Sequence, residues 1–203
     1  MSILFNKLLE DFYPINESLN PEVILNFPEN RQVHNYDCGV SCLQSVLVYY
    51  GIEKREDELF KILNNKHTDI STNGIKIKDI IKIVKYYGLD IKIKNNCTIH
   101  DLIMNINNKI PIIILVQAYS NYPKNIDYKN DFKDGHYIVA IGYNDKNIFF
   151  EDPSLFNRGY ISKEELIERW HAVDDNNIPT KEHIAIMILG KPVFDNNKII
   201  HID

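Results

Sequence analysis

The apolar pattern of this chain changes period once, near residue 110, and no other feature constrains the fold as much. Upstream, apolar residues recur at three- and four-residue steps. In "CGVSCLQSVLVYYG" the residues Val40, Leu43, Val46, Leu47 and Tyr50 share a helical face, and Gly51 stands where a helix stops. "REDELFKILNN" and "KIKDIIKIVKYYG" repeat the pattern, the second closed by Gly88, and "TIHDLIMNINN" follows with Thr98 as its cap. Among them only "DIKIK" alternates like a strand. Downstream the runs are short, β-branched and almost fully apolar. "IPIIILVQAY", "GHYIVAIGYN", "NIFFEDP" and "HIAIMILGK" read as buried strands, the second and third joined by a hairpin-like "DK". "SKEELIERW" is a short helix in which Ser162 and Glu165 have the spacing of a capping box. Helices first and a mostly antiparallel sheet second is α+β organisation.

At 203 residues the chain fits one domain and buries enough surface to fold without staples. Residues 1–29 read as an N-terminal extension, a short amphipathic helix followed by the turn-rich "YPINESLNPE", and residues 30–203 as the domain proper. A net charge of -5 with no basic stripe gives nucleic-acid binding no electrostatic support. Three irregularly spaced cysteines do not make a disulfide framework and suit a reducing compartment. No basic start leads into a long apolar stretch, and no apolar run approaches the roughly 20 residues of a membrane span. A cytoplasmic protein is expected, with export by a non-standard route left open.

The chemistry centres on "RQVHNYDCGVSCLQSV". Asp37 is placed to cap the helix that follows it, which puts Cys38 in the first turn. Free backbone N–H groups and the helix dipole favour an anion there. Gly39 is expected to leave room beside the sulfur for a substrate carbonyl. Gln32, six residues upstream, carries an amide that can donate to the oxyanion formed on acyl attack, together with the Cys38 N–H. Of seven histidines, His136 is the best placed base, at the start of a strand expected in the sheet core. Asp152 ends the next strand, and antiparallel pairing brings such ends side by side, so Asp152 can orient the imidazole. Cys42 lies a turn further along, on the apolar face, and reads as core. Cys97 reads as an incidental loop residue. His34 reads as a solvated loop residue, Tyr137 as core, and "ERWHAVD" as a helix docked on the sheet. Cys38 and Cys42 lack the CxxC or HxxxH partners of a zinc site, so no metal and no cofactor is expected.

Gln, five residues, Cys-Gly opening a helix, then His-Tyr on a strand and Asp-Pro after the next strand resemble the papain-like bacteriocin-processing peptidases. The resemblance runs from about Asn30 to Ile188 and includes "YYGI", "GHYIVAIGY", "FEDPS" and "ELIERWH". That family cleaves double-glycine leader peptides, often as the first domain of an ABC exporter. The resemblance implies a papain-like fold, with Cys38 as nucleophile, His136 as base, Asp152 as orienter and Gln32 in the oxyanion hole. No Walker-type glycine loop occurs in the chain, so a free-standing member is expected. The partner is then a peptide or protein substrate. A transferase using the same site, with an amine in place of water, and a catalytically silent peptide-binding module are the competing readings.

Overall fold

A computed structural model describes residues 19–34, 36–63, 74–119, 127–173, 179–180, 182–199 and 201. The expected helix at the chain start, Cys-free and amphipathic, lies outside these residues, as does the first half of the insertion before His136. Five α-helices and nine strands appear among the described residues. The helices are α1 (Cys38–Tyr49), α2 (Glu56–Leu63), α3 (Ile77–Tyr86), α4 (Ile99–Asn107) and α5 (Lys163–Arg169). The strands are β1 (Val23–Ile24), β2 (Asp90–Lys94), β3 (Ile112–Gln117), β4 (Gly135–Tyr143) and β5 (Asn147–Glu151). They continue with β6 (Gly159–Ser162), β7 (Ala172–Val173), β8 (Pro179–Thr180) and β9 (Ala185–Leu189).

The main sheet runs β2-β9-β3-β4-β5-β6, with these neighbours antiparallel and β1 added, also antiparallel, beside the far end of β4. This is the α+β organisation that the change of period predicts, and the resemblance drawn from the motifs implies a papain-like version of it. Strands β3, β4 and β5 are buried almost throughout, which explains why they read as continuous apolar runs rather than alternating ones. Their register puts Val116 opposite His136 and Val139 opposite Glu151, so the end of β3, the start of β4 and the end of β5 meet at one edge. A bulge between Ala140 and Gly142 shifts the β4–β5 pairing by a residue further along.

Residues 19–29, read from sequence as part of an extension, are built into this core. Glu22 N–H donates to Tyr143 O at 2.9 Å and Leu25 N–H to Ile141 O at 2.8 Å, and Leu25 and Phe27 are buried.

Helix α1 is buried nearly all round, which a helix achieves only at the centre of a core. Leu43, Val46 and Leu47 are fully buried, and the Cys42 thiol donates to Tyr137 O at 3.3 Å. Its polar residues are satisfied locally: Ser41 Oγ donates to Glu56 Oε1 and Ser45 Oγ to Ser41 O. The helix stops at Gly51, whose φ of 83° is the left-handed value glycine adopts without penalty.

Helix α4 carries a reciprocal cap, in which Thr98 and Asp101 each accept the other's backbone N–H. At α5 only half of the expected box forms. Ser162 Oγ accepts Glu165 N–H at 3.1 Å, while the Glu165 carboxylate pairs with Arg169 one turn on, at 2.8 Å. Cys97 is not incidental. It is 2% exposed, its thiol faces Lys94 O, and its backbone exchanges hydrogen bonds with His183, which stacks on the buried Trp170. Burial pushes the Cys97 thiol up to about 11.

Gly39 departs from its expected role. A Cβ there would sit 2.9 Å from the Tyr137 ring and closer still to the Ile75 side chain, so the glycine faces the sheet and not the cleft. It lets the first turn of α1 lie against β4. Gly39→Ala is therefore expected to lower unfolding stability by about 1–3 kcal/mol, read from urea denaturation, because the added methyl overfills a packed contact.

Candidate active site

Cys38 opens α1 and is 9% exposed. Asp37 precedes it with φ −89° and ψ 0°, but its side chain makes no capping bond. The carboxylate turns back instead and accepts from His34, at 3.1 Å from the backbone N and 2.7 Å from Nδ1. The expected cap is thus replaced by a three-residue loop closure. Asp37 is fully buried and its Oδ1 has no hydrogen-bond partner. The consequence is chemical: the Asp37 side chain leaves the first-turn N–H groups of α1 free to face an anion. His34, expected in solvent, is half-exposed and also stacks on Tyr36 at 5.1 Å.

His136 is the second residue of β4, and Asp152 directly follows β5. His136 Nε2 lies 2.8 Å from Asp152 Oδ1, and both side chains are more than nine-tenths buried. The other imidazole nitrogen is not taken by Asp152, and Cys38 lies close enough to act on the proton affinity of the imidazole. Burial pushes the imidazole down, but the hydrogen bond to Asp152 and the influence of the nearby Asp152 and Cys38 side chains outweigh it and raise His136 to about 9. Burial pushes Asp152 up. The hydrogen bond and charge of His136, with donors from Tyr119 and the Ser154 N–H, hold it below its ordinary value.

Gln32 reaches the same edge through its backbone. Its N–H donates to Pro153 O at 3.0 Å, one residue past Asp152. Its side-chain Oε1 is buried without a partner. The strap that carries it is tied down at Arg31 and Asn30. Arg31 Nη1 pairs with Glu151 Oε1 at 2.6 Å, and Arg31 Nη2 donates to Phe156 O. Asn30 N–H adds a bond to the same Glu151 oxygen, and its amide reaches Ser41 O and Gln44 Oε1 on α1. Glu151 is 1% exposed, and burial raises its carboxyl above the usual range despite Arg31.

Sequence reasoning names Cys38, His136, Asp152 and Gln32 and misses what holds them. Tyr119 Oη donates to Asp152 Oδ2 at 2.7 Å, and its ring stands edge-on to His136. Gln117, fully buried at the end of β3, accepts Asp134 N–H and donates to His171 O, which fixes the approach to β4. A polar residue closing an otherwise apolar strand is the one signal that marks Gln117. Nothing local marks Tyr119. Beside Asp152 a cavity of about 370 Å³ is lined by Tyr119, Tyr128, Ile138, Phe150, Leu155 and Tyr160. Cys42 lies beneath the site. Burial, and then the nearby Cys38, push its thiol well up, which leaves it unreactive. Among the described residues no cluster of His, Cys, Asp and Glu is arranged to hold a metal ion, and no helix is long and apolar enough to cross a membrane.

Comparison with known proteins matches residues 24–178 to the Peptidase_C39 like family. Over 163 residues the chain is 23% identical to the SPbeta prophage-derived sublancin-168-processing and transport ATP-binding protein SunT of Bacillus subtilis. The match covers 77% of this chain but 20% of that protein, so the chain spans about a fifth of the length of its curated relative. Among solved structures, a C39-like peptidase from Bacillus anthracis superposes with a TM-score of 0.60 at 18% identity, over 84% of this chain and 98% of the other. A double glycine motif protease from an AMS/PCAT transporter, in complex with the leader peptide, gives 0.55 at 19% identity, over 86% and 99%. The peptidase domain of Streptococcus ComA, a bi-functional ABC transporter involved in quorum sensing, gives 0.53 at 18% identity, over 80% and 97%. These likenesses set the fold, and the family match over residues 24–178 sets the kinship: the chain belongs to the Peptidase_C39 like family.

Proposed function

We propose that this chain is a thiol peptidase that cuts a peptide amide through an acyl-enzyme on Cys38. The observation that carries the reading is the position of His136, bonded to Asp152 at 2.8 Å and near enough to Cys38, at the start of α1, for the two side chains to act on each other. The Cys38 thiolate attacks the scissile carbonyl carbon. The oxygen that takes up the negative charge is met by the Cys38 N–H and the Gln32 side-chain amide. His136 gives its proton to the leaving amine, and the carbon–nitrogen bond breaks to leave a thioester. His136 then takes a proton from water, whose oxygen attacks the thioester and expels the Cys38 thiolate, releasing the acid and restoring the starting thiolate and protonated imidazole. Asp152 holds the imidazole in the tautomer and direction these transfers need.

The substrate class follows from the kinship. The transporter protease solved with its leader peptide is a double glycine motif protease, and the Bacillus subtilis relative is a sublancin-168-processing protein. A peptide with two glycines before the scissile bond is the substrate proposed here. Glycine in those positions suits a site in which Cys38 is almost fully buried, since a bulkier residue there would have to be accommodated at the mouth of the cleft.

Two outcomes are expected with a fluorogenic peptide ending in Gly-Gly at a coumarin amide. Cys38→Ala abolishes cleavage and labelling by iodoacetamide at that position, and Gln32→Ala lowers kcat/KM by about 10²–10³ with the fold intact. Full cleavage by Cys38→Ala contradicts the reading.

The pH dependence follows from the raised imidazole. A histidine whose folded value lies above its ordinary 6.5 favours the fold below that pH and loses its contribution as pH rises through about 9. The same proton is the one delivered to the leaving amine. The alkaline limb of kcat/KM is therefore expected near pH 9 and is expected to move toward neutrality in Asp152→Asn. A pH–rate profile of both proteins checks this, and a limb unmoved in the variant would contradict it.

A further inference from the structure

We propose that Tyr119 is a positioning residue for the His136–Asp152 pair, its hydroxyl locking the carboxylate plane and its ring excluding water from the imidazole. The inference rests on the reading of that pair as the base and its orienter. The Asp152 carboxylate is held at both oxygens. Oδ1 accepts from His136 Nε2 and from the Ser154 N–H, each at 2.8 Å. Oδ2 accepts from Tyr119 Oη at 2.7 Å. The Ser154 tether alone would leave the carboxylate free to turn about its own axis. The tyrosine fixes that turn, and with it the direction in which His136 points.

The fold is built to present this residue. Strand β3 pairs with β4 so that Gln117 faces Gly135, and the ladder continues with Ala118 N–H donating to Asp134 O at 2.9 Å. Tyr119 is next along the chain and has a φ of 59°, a left-handed value uncommon for a large side chain. That turn sends the ring back over the strand end instead of on into the loop. The ring centroid lies 5.1 Å from that of His136, at an interplanar angle of 79°. His136 and Asp152 are 6% and 7% exposed, whereas Tyr119 is 39% exposed. The tyrosine is thus the wet outer side of a dry pair. A backbone conformation that costs energy, spent on a residue touching two buried polar groups, is the kind of strain that functional sites retain.

Among the described residues, the imidazole is met by Cys38 from α1, Asp152 from the turn after β5 and Tyr119 from the end of β3. Hydroxyl and ring can be separated by substitution. Tyr119→Phe keeps the ring and removes the donor. With the Gly-Gly coumarin peptide it is expected to lower kcat about tenfold and leave KM within about twofold, since orientation and not substrate binding is lost. Tyr119→Ala removes both, and water then screens the His136–Asp152 bond. NMR titration of the His136 ring, assigned with His136→Gln, is expected to show its midpoint falling by about one pH unit from the wild-type value. The downfield proton of the His136–Asp152 bond is expected to survive in Tyr119→Phe and to disappear by exchange in Tyr119→Ala.

A kcat within twofold in the Phe variant overturns the role of the hydroxyl. An unmoved midpoint and a persisting downfield proton in the Ala variant overturn the role of the ring. The titration does not depend on turnover, so the two readings fail differently. A wild-type His136 that titrates at its ordinary value removes the base-and-orienter pair itself, and Tyr119's role with it. A raised wild-type value that ignores both substitutions removes Tyr119 alone.

Discussion

The close seat of α1 on β4 is the constraint on which the site depends. Helix and strand approach at Gly39, where the Tyr137 ring and Ile75 occupy the space any side chain would need. One residue before that contact is Cys38, and one residue before Tyr137 is His136. The packing contact and the two side chains proposed to react are therefore adjacent along both elements. A looser seat would part sulfur from imidazole by the same amount that it parted helix from sheet. The Cys42 thiol, bonded to Tyr137 O, pins the next turn of the helix to the same strand.

The end of β5 divides its work between two neighbouring carboxylates. Successive side chains of a strand point to opposite faces. Asp152 turns to His136, Tyr119 and the Ser154 N–H, and these donors override burial and hold it low. Glu151 turns to Arg31 and Asn30, and there burial prevails and its carboxyl is raised. One residue steadies the imidazole. The other anchors the strap that carries Gln32, whose own N–H is bonded to Pro153 O. Removing a partner from a buried charge leaves a costly unpaired group, so this edge of the sheet resists being loosened piecemeal. Residues 22–27 are joined to the sheet as well, with Val23 and Ile24 paired to β4 and Leu25 and Phe27 buried, and the backbone of Gln32 is tied to Pro153.

The sheet and helices were legible because burial writes itself into apolar spacing. The strands around His136 and Asp152 are buried on both faces, and their nearly continuous apolar runs carry that fact openly. The cap expected at Asp37 does not form, for a different reason. A carboxylate before a helix has two local donors within reach, and His34, three residues back, takes it in place of the helix N–H groups. The room expected beside the sulfur at Gly39 is taken by the sheet instead, because a glycine that opens a cleft and a glycine beneath a strand look alike in sequence; only the third dimension says which neighbour needs the space. Cys97 follows polar residues, yet its loop folds under His183 and Trp170 through a pairing 86 residues distant. Tyr119 depends on a left-handed turn at a non-glycine residue, for which sequence offers no sign.

The central claim is that bond cleavage passes through a covalent thioester on Cys38. The most direct measurement is acid-quenched mass spectrometry during a single turnover of a peptide with Gly-Gly before the scissile bond. The expected result is a transient gain on the peptide fragment containing Cys38, equal in mass to the acyl part of the substrate and removed by hydroxylamine. Continued cleavage with no acyl group ever found on Cys38 would contradict it.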